Sequence, residues 1–293
     1  MKKAYLLLVH KNPTQINSLI NQILIDNDAF VFVHVNKLNE NIKSSIILHQ
    51  RVIILRNNID VHWGNESILD ALIILLRTAF DYDVNFEYYS IRTGQDLQVK
   101  NKIDQFLIQN KGQIFLNPIH IKENNIFYGH FSINWPKQTK RLYDSKLNIF
   151  RIYRKALLIL NFIKSNILYT KNHLPNNMKL YWGRFWGFYP KDVVEYILDF
   201  IESNDVVFQR FRTSLVPEEM FFHTIIMNSD FRKRVVFNDL CALVGHRNNH
   251  PTVVTINDVN EINKKECFFA RKFDNQVDNE VILYYLDIIL NSK

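Results

Sequence analysis

Two adjacent glutamates, Glu218 and Glu219, follow Pro217 within the stretch SLVPEEMFFHTIIMNSD at residues 214–230. Proline suits the first position of a helix, and acidic side chains suit the positive N-terminal end of its dipole. The stretch therefore predicts a helix that begins at Pro217 and holds a carboxylate able to act as a general base. Because neighbouring side chains on a helix point about 100° apart, the two glutamates cannot face the same reacting atom. In isolation, such glutamates would more often be solvated residues that complement the helix dipole.

Arg271 and Lys272 form a compact basic pair beside Phe273, near the end of the chain. A pair of this kind is usually solvated when it has no partner. Beside a carboxylate base, the same two cations could receive a diphosphate, because they would stabilise its negative charge. The pair is therefore a candidate anion site.

The stretch LYWGRFWGFY at residues 180–189 places six aromatic residues around two glycines. Aromatic faces stack on the apolar faces of sugar rings, and glycine lets the backbone approach a ligand closely. A buried strand with a bulge explains the same pattern equally well. The sequence leaves both a sugar-binding surface and a core strand open.

Alternating apolar runs and helical patterns must position these residues. Strands are predicted at residues 4–9, 30–35, 52–55 and 86–92, with helices at 14–24 and 66–80 between them. This order is typical of an α/β fold with a mostly parallel central sheet flanked by helices. Ligands bind such sheets at the carboxyl ends of the strands, where His10, Asn36 and the turn at 93–100 stand.

The composition predicts a single domain over residues 1–293. The chain is 47% hydrophobic and 13% aromatic, and it contains no repeat, linker or low-complexity tract that would mark a boundary. Its short N-terminal apolar run fits a buried strand better than a signal peptide, and no window of about 20 residues predicts a membrane-spanning helix. Two cysteines, Cys241 and Cys267, are too few for a disulfide framework and favour a reducing cytosol.

A net charge of +7 favours anionic partners, which could be nucleotide phosphates, acidic lipids or nucleic acid. Nucleic acid is disfavoured, because no DNA or RNA motif occurs and 29 acidic residues are spread along the chain. The segment 136–175 interleaves basic and apolar residues and predicts a basic amphipathic helix. That helix could contact an anionic membrane or the acceptor, or pack on the core with a solvated basic face.

Seven motifs follow one another in an order that resembles the core-2/I-branching glycosyltransferase family, whose relatives include xylosyltransferases. They are AYLLLVHKNP, VFVHVNK, WGNESILDAL, SIRTGQDLQVK, GRFWGFY, SLVPEEMFFHTIIMNS and ARKFD. The resemblance extends from residue 4 to about residue 278. It implies a GT-A type fold and the inverting transfer of a sugar from a nucleotide donor, usually a UDP-sugar, without a required metal.

The resemblance also implies a role for each matching residue. Glu219 is implied as the base, and Lys272 as the cation at the leaving diphosphate, with Arg247 and Arg271 assisting. Donor contacts are implied at Val9, His10, Asn36, His62, Trp63 and Gly64. Acceptor contacts are implied at Gln95, Asp96, Trp186 and Glu218. The chain departs from the family pattern at Asn36, where animal members have Asp, and at Gln98, which replaces the usual proline of its turn.

Many GT-A enzymes hold a divalent metal with an Asp-x-Asp motif, and this chain contains that spacing at residues 26–28 and 81–83. Both occurrences lie in predicted connections that lead into strands, whereas the metal motif belongs where a strand ends. We therefore expect neither metal nor cofactor, with fixed cations at the phosphates instead. A glycosidase is disfavoured, since two adjacent helix residues cannot flank a glycosidic bond. The remaining alternative is a catalytically silent sugar- or nucleotide-binding module on the same fold.

The low cysteine content and the lack of a signal or anchor resemble the bacterial members of the family rather than the disulfide-bearing Golgi members. We expect a cytoplasmic protein at the inner face of the cytoplasmic membrane, acting in surface polysaccharide or lipopolysaccharide synthesis. The expected partners are a nucleotide-sugar donor and a saccharide or lipid-linked saccharide acceptor. N-acetylglucosamine is the first expectation for the donor sugar, with xylose, glucose and galactose left open.

Overall fold

The computed structural model describes residues 1–135, 149–163, 173–175, 177–247 and 250–291. The predicted basic segment at 136–175 falls mostly outside these ranges, and its described part contains one helix, Ile149–Phe162. The described part of the chain contains no helix that is long and apolar enough to cross a membrane.

The strands are β1 Lys3–Val9, β2 Ala29–Val35, β3 Val52–Ile54, β4 Tyr88–Thr93, β5 Leu97–Gln98, β6 Ile114–Leu116, β7 Ile119–Ile121, β8 Leu180–Trp182, β9 Gly187–Pro190, β10 Val235–Phe237, β11 Cys241–Leu243, β12 His246–Arg247, β13 His250–Pro251 and β14 Phe269–Arg271. The α-helices are α1 Pro13–Leu24, α2 Glu66–Phe80, α3 Ile103–Gln109, α4 Gly129–Ser132, α5 Ile149–Phe162, α6 Lys191–Ser203, α7 Asp205–Arg212, α8 Phe221–Met227, α9 Val259–Asn263 and α10 Asn279–Leu290. Short 3-10 helices cover Lys37–Ser45, Ile126–Tyr128, Pro217–Glu219, Asp230–Arg234 and Ile256–Asp258.

A seven-stranded sheet in the order β10-β6-β9-β4-β1-β2-β3 forms the centre of the described structure. Strands β3, β2, β1 and β4 pair in parallel, as do β10 and β6. Strand β9 runs antiparallel to both of its neighbours, β4 and β6. Every strand of this sheet except β9 therefore points the same way, which confirms the predicted α/β fold with a mostly parallel central sheet flanked by helices.

Strand β4 is central in this sheet, the apolar strands β1 and β2 follow it on one side, and helices α1 and α2 bury their apolar faces against the sheet. Residues that follow neighbouring parallel strands consequently meet at one edge. Val9 pairs with Val35, and Leu8 pairs with Thr93. A second sheet, β11-β14-β5, places Arg271 beside the turn that follows β4.

Both Asp-x-Asp occurrences lie at the opposite edge, in agreement with their predicted place before strands. Asp26 and Asp28 stand between α1 and β2, and the pair at 81–83 stands between α2 and β4. Asp26 forms an ion pair of 2.7 Å with the buried amine of Lys3. These carboxylates are therefore separated from the carboxyl ends of the strands by the length of the sheet.

Two elements differ from the sequence prediction. The helix predicted to begin at Pro217 is broken: a single 3-10 turn, Pro217–Glu219, ends at Met220, whose φ is −116°, and α8 starts at Phe221. The break has a physical cause, since the carbonyl of Glu219 accepts a hydrogen bond from Gly183 N at 2.8 Å. The stretch GRFWGFY is a strand only from Gly187 onward, and residues 183–186 form a connection.

Candidate active site

The turn that carries Glu219 is clamped from two sides. Val216 adopts a left-handed backbone with φ of 52°, and its N–H donates to the carbonyl of Gly64 at 3.2 Å. On the other side, Gly183 N donates a hydrogen bond to the carbonyl of Glu219. Gly183 has to be glycine, because a Cβ there would lie 2.6 Å from His223 Nε2 and 2.7 Å from the carbonyl oxygen of Asn117. The position of Glu219 thus depends on two distant segments of the chain, at Gly64 and at Gly183.

His223 completes this clamp one helical turn after Glu219. It is fully buried, and its Nε2–H donates to the carbonyl of Arg184 at 2.9 Å. Burial lowers the pKa of His223 to about 4, so the ring is neutral at physiological pH. Its role in this arrangement is to hold the backbone of Arg184 against the segment that carries Glu219.

The carboxyl group of Glu219 has the electrostatics of a base that works near neutral pH. Its side chain is half-buried, and loss of hydration raises its pKa from the ordinary 4.5 to about 7. The positive charges of Arg271 and Arg184 oppose this rise. A group with such a pKa can both release and accept a proton at pH 7, as general catalysis requires.

Glu218 is buried more deeply than Glu219. It is 1% exposed, and burial together with the charge of Glu219 raises its pKa well above the usual range. Its Oε2 has no hydrogen-bond partner among the residues that the structure describes. Glu218 is almost inaccessible to solvent, and its contact with an acceptor stays a prediction.

Arg271 is held in place by two residues of the sequence motifs. Its Nε lies 3.5 Å from Asp96 Oδ1, and its guanidinium carbon lies 4.0 Å from the ring centroid of Trp186. Asp96 is fully buried and also accepts hydrogen bonds from the backbone N–H and the hydroxyl of Thr93. Direct contact of an acceptor with Asp96, or with the 7% exposed Trp186, would require this cluster to move, and both contacts stay predictions.

Positive charge gathers at the carboxyl end of β1. Lys272 is half-buried, and its pKa is lowered by burial and by the charges of Arg271 and Lys11. The pKa of His10 is lowered by loss of hydration and by Lys11, Lys272 and Arg271. Within the described residues, no carboxylate forms an ion pair with Lys272. The four groups His10, Lys11, Arg271 and Lys272, here called the cation cluster, favour an anion at this edge, and the charge of Arg271 also acts on Glu219.

Backbone contacts bring the cation cluster to the turn after β4. Phe273 N donates to the carbonyl of Gln95 at 2.9 Å. The side-chain amide of Gln15 donates to the carbonyls of Gly94 and Phe273, at 3.1 and 2.8 Å. Gln95 itself is half-buried at the mouth of this turn. The ARKFD and TGQD motifs, far apart in the sequence, therefore form one structure.

The predicted donor residues share the same edge of the sheet. Asn36 N donates to the carbonyl of Val9 at 2.8 Å. The Asn36 amide group is used within the protein, because it donates to the carbonyl of Val61 at 2.9 Å and accepts from the N–H groups of Val61 and Leu38. It thereby fixes the loop that continues into His62, the exposed Trp63 and Gly64. Their contacts with a nucleotide stay predictions.

The side chain of Arg247 lies outside the described part of the structure. Its backbone belongs to a hairpin in which Arg247 pairs with His250. The chain then returns to the cation cluster, where Val254 N donates to the carbonyl of Lys272 at 2.7 Å. The predicted role of Arg247 at the diphosphate is therefore untested.

Sequence reasoning missed Arg184 and Asp239. Asp239 is 2% exposed and accepts a hydrogen bond of 2.7 Å from Arg184 Nη2, which also donates to the carbonyl of Cys241 at 3.0 Å. The pair lines a cavity of about 370 Å³ that also includes Lys265. Arg184 lies inside a motif that was considered only for its aromatic residues and glycines, and no local pattern marked Asp239.

Arg92 was also missed as a buried charge. It is fully buried between the rings of Phe188 and Phe269, whose centroids lie 4.9 and 4.1 Å from its guanidinium carbon. None of its guanidinium nitrogens has a hydrogen-bond partner among the described residues. Its charge lowers the pKa of Asp239, although burial raises that pKa overall. Arg92 therefore contributes to the ionisation of the carboxylate that holds Arg184.

Comparisons with known proteins indicate the same family as the order of the motifs. The family model Core-2/I-Branching enzyme matches residues 3–266. Xylosyltransferase 2 of Homo sapiens and that of Rattus norvegicus are each 22% identical over 316 residues, covering 95% of this chain and 32% of the relative. The chain thus spans about a third of the length of these curated relatives.

A solved structure, 4-diphosphocytidyl-2C-methyl-D-erythritol synthase from Anaerococcus prevotii, is similar over 70% of this chain and 77% of that one. The TM-score is 0.32 and the identity is 10%. Values this low carry no argument about fold or function.

Replacing Arg184 by Gln should raise the pKa of Glu219 above about 7, because the ionised carboxylate loses a stabilising positive charge. The measurement is a pH titration of ¹³C-labelled glutamate carboxyl signals by NMR, with Glu219→Gln identifying the signal. Arg184→Lys keeps the charge and is the matched control, for which we expect a pKa near that of the unmodified protein. An unchanged pKa in a folded Arg184→Gln protein would contradict the electrostatic role of Arg184.

Proposed function

The chain belongs to the Core-2/I-branching enzyme family, and on this premise we propose that it is an inverting glycosyltransferase. It moves a sugar from a UDP-sugar donor to a hydroxyl group of a saccharide acceptor. The observation that carries this proposal is the juxtaposition of Glu219, whose pKa is about 7, with the cation cluster around Lys272. One group accepts a proton and the other holds a negatively charged leaving group, and a single displacement needs both.

Glu219 acts as the base in this reaction. The acceptor hydroxyl transfers its proton to the Glu219 carboxylate while its oxygen forms a bond to the anomeric carbon of the donor. The bond from that carbon to the diphosphate breaks on the opposite side, and the electron pair leaves with the diphosphate. Glu218 is a poorer candidate for the base, because its side chain is buried and cannot be reached by an acceptor without movement.

Lys272 and Arg271 stabilise the departing diphosphate. Lys272 is half-buried and has no carboxylate partner among the described residues, so its charge is free to meet a phosphate. Arg271 contributes through the electric field of its positive charge, because Asp96 and Trp186 hold its guanidinium group. Fixed cations of this kind can replace a divalent metal at the phosphates. We propose that the reaction needs no metal.

The identity of the sugar belongs to the same proposal. N-acetylglucosamine is our first expectation, and the names of the curated relatives make xylose its main competitor. A screen of UDP-N-acetylglucosamine, UDP-xylose, UDP-glucose and UDP-galactose for binding and slow hydrolysis would separate them. A protein that binds a donor but neither hydrolyses nor transfers it would instead be a silent binding module.

Replacing Glu219 by Gln should lower kcat by about 10²–10⁴-fold, because the base is lost while the shape of the side chain is kept. Donor binding, measured by titration calorimetry with UDP, should stay within about twofold of the unmodified protein. Glu195→Gln, at an exposed position on α6, is the matched control and should change neither quantity. Normal turnover in Glu219→Gln, or loss of UDP binding, would show that Glu219 is not the base.

Replacing Lys272 by Ala should weaken UDP binding by about 10–100-fold, as expected for the loss of a charge-assisted hydrogen bond of about 1.5–3 kcal/mol. Binding of uridine, which lacks the diphosphate, should be unaffected in the same titration. Lys179→Ala removes an exposed lysine and serves as the control. Equal UDP affinity for Lys272→Ala and the unmodified protein would refute a phosphate contact.

Transfer should continue in an excess of EDTA at close to the rate found with added Mg²⁺ or Mn²⁺. The reason is that the charge of the diphosphate is met by side chains that remain when metals are removed. The measurement is UDP release with and without chelator after dialysis of the protein. Loss of activity that Mn²⁺ restores would mean that a metal takes part.

A further inference from the structure

Helix α5 presents an apolar stripe to the solvent. Ile149, Ile152, Ile159 and Ile163 are 72%, 70%, 57% and 62% exposed. With the exposed Ala156, these positions are spaced by three or four residues, which places them on one side of a helix. Large aliphatic side chains in one continuous exposed row are unusual on a soluble surface and mark a contact region.

The opposite side of α5 is fixed to the body of the protein. Leu157 is 1% exposed and belongs to a small cluster with Ile133, Trp135 and Leu215. Ser132 Oγ donates a hydrogen bond of 3.0 Å to Asn161 Oδ1. At about 100° per residue, these anchoring positions lie roughly opposite the isoleucines. The apolar stripe is therefore held facing outward.

The sequence that contains α5 carries charge of almost one sign. Residues 137–171 contain nine lysines and arginines and a single acid, Asp144. Lys155 is exposed on α5 beside the stripe, and α5 contains no acidic residue. Arg154, which the sequence grouped with the basic face, is 5% exposed and is turned toward the body instead. An apolar row beside an exposed lysine, on a helix without acidic residues, fits a surface that is apolar within and anionic at its boundary.

We propose that the outward face of α5 docks on an anionic lipid surface, with its isoleucines in the acyl boundary and Lys155 at the headgroups. A helix with this distribution lies in the plane of the interface. A basic residue near an anionic surface adds to the attraction. A second copy of the chain fits less well, because two segments with the same high positive charge repel each other. This inference does not depend on the proposed function, since it concerns only where the protein resides.

The test is flotation of the full-length protein with liposomes, one set of pure phosphatidylcholine and one containing about a third phosphatidylglycerol. We expect flotation with the anionic vesicles and little with the neutral ones. The variant Ile152→Glu/Ile159→Glu changes two exposed residues and should reduce the bound fraction at least tenfold, because it removes apolar contact and adds negative charge. The matched control, Leu48→Glu/Val206→Glu, alters exposed apolar residues elsewhere and should float like the unmodified protein.

Two outcomes would overturn the proposal. One is that the unmodified protein stays unbound with anionic vesicles at low salt, which would mean that the stripe is covered in solution. The other is that sedimentation without lipid reveals a dimer that Ile152→Glu/Ile159→Glu dissociates, which would assign the stripe to a second copy. Circular dichroism of each variant verifies that the fold is retained, and UDP binding verifies that the active site is intact.

Discussion

The site keeps the carboxylate of Glu219 close to two guanidinium groups, partly out of water, and no direct ion pair joins them among the residues that the structure describes. A direct pair would hold Glu219 ionised but would lower its pKa and its power as a base. The protein avoids this by giving each arginine its own partner. Asp96 lies against Arg271, and Asp239 binds Arg184. The arginines then act on Glu219 only through their field, and burial keeps its pKa near 7.

The parallel sheet allows this arrangement at a small cost in conformational entropy. Strand ends meet at one edge, so residues that follow β1, β2 and β4 are adjacent without long ordered loops. The second sheet adds Arg271 and Lys272 from the far end of the chain. Antiparallel β9 then continues the connection that carries Arg184, which reaches the same edge from the other direction.

Close backbone contacts fix the position of Glu219. The bond from Gly183 to the Glu219 carbonyl interrupts what would otherwise be a continuous helix. The two neighbouring glutamates differ in burial. Glu219 is half-buried with a pKa of about 7, and Glu218 is 1% exposed with a pKa raised well above its usual range. Local sequence treats them alike, since both would suit the first turn of a helix.

The sequence by itself determined the alternation of strands and helices, the bounds of α2, and the motifs from which Glu219 and Lys272 were selected. The strands and helices follow from periodicity, which is a local property, and the two residues follow from the resemblance of the motifs to the family. Only the tertiary structure decided which glutamate is partly dehydrated, that Arg184 and Asp239 belong to the site, and which side of α5 faces outward. Burial and the electric field at a carboxylate arise from segments distant in the chain, and no local pattern contains that information.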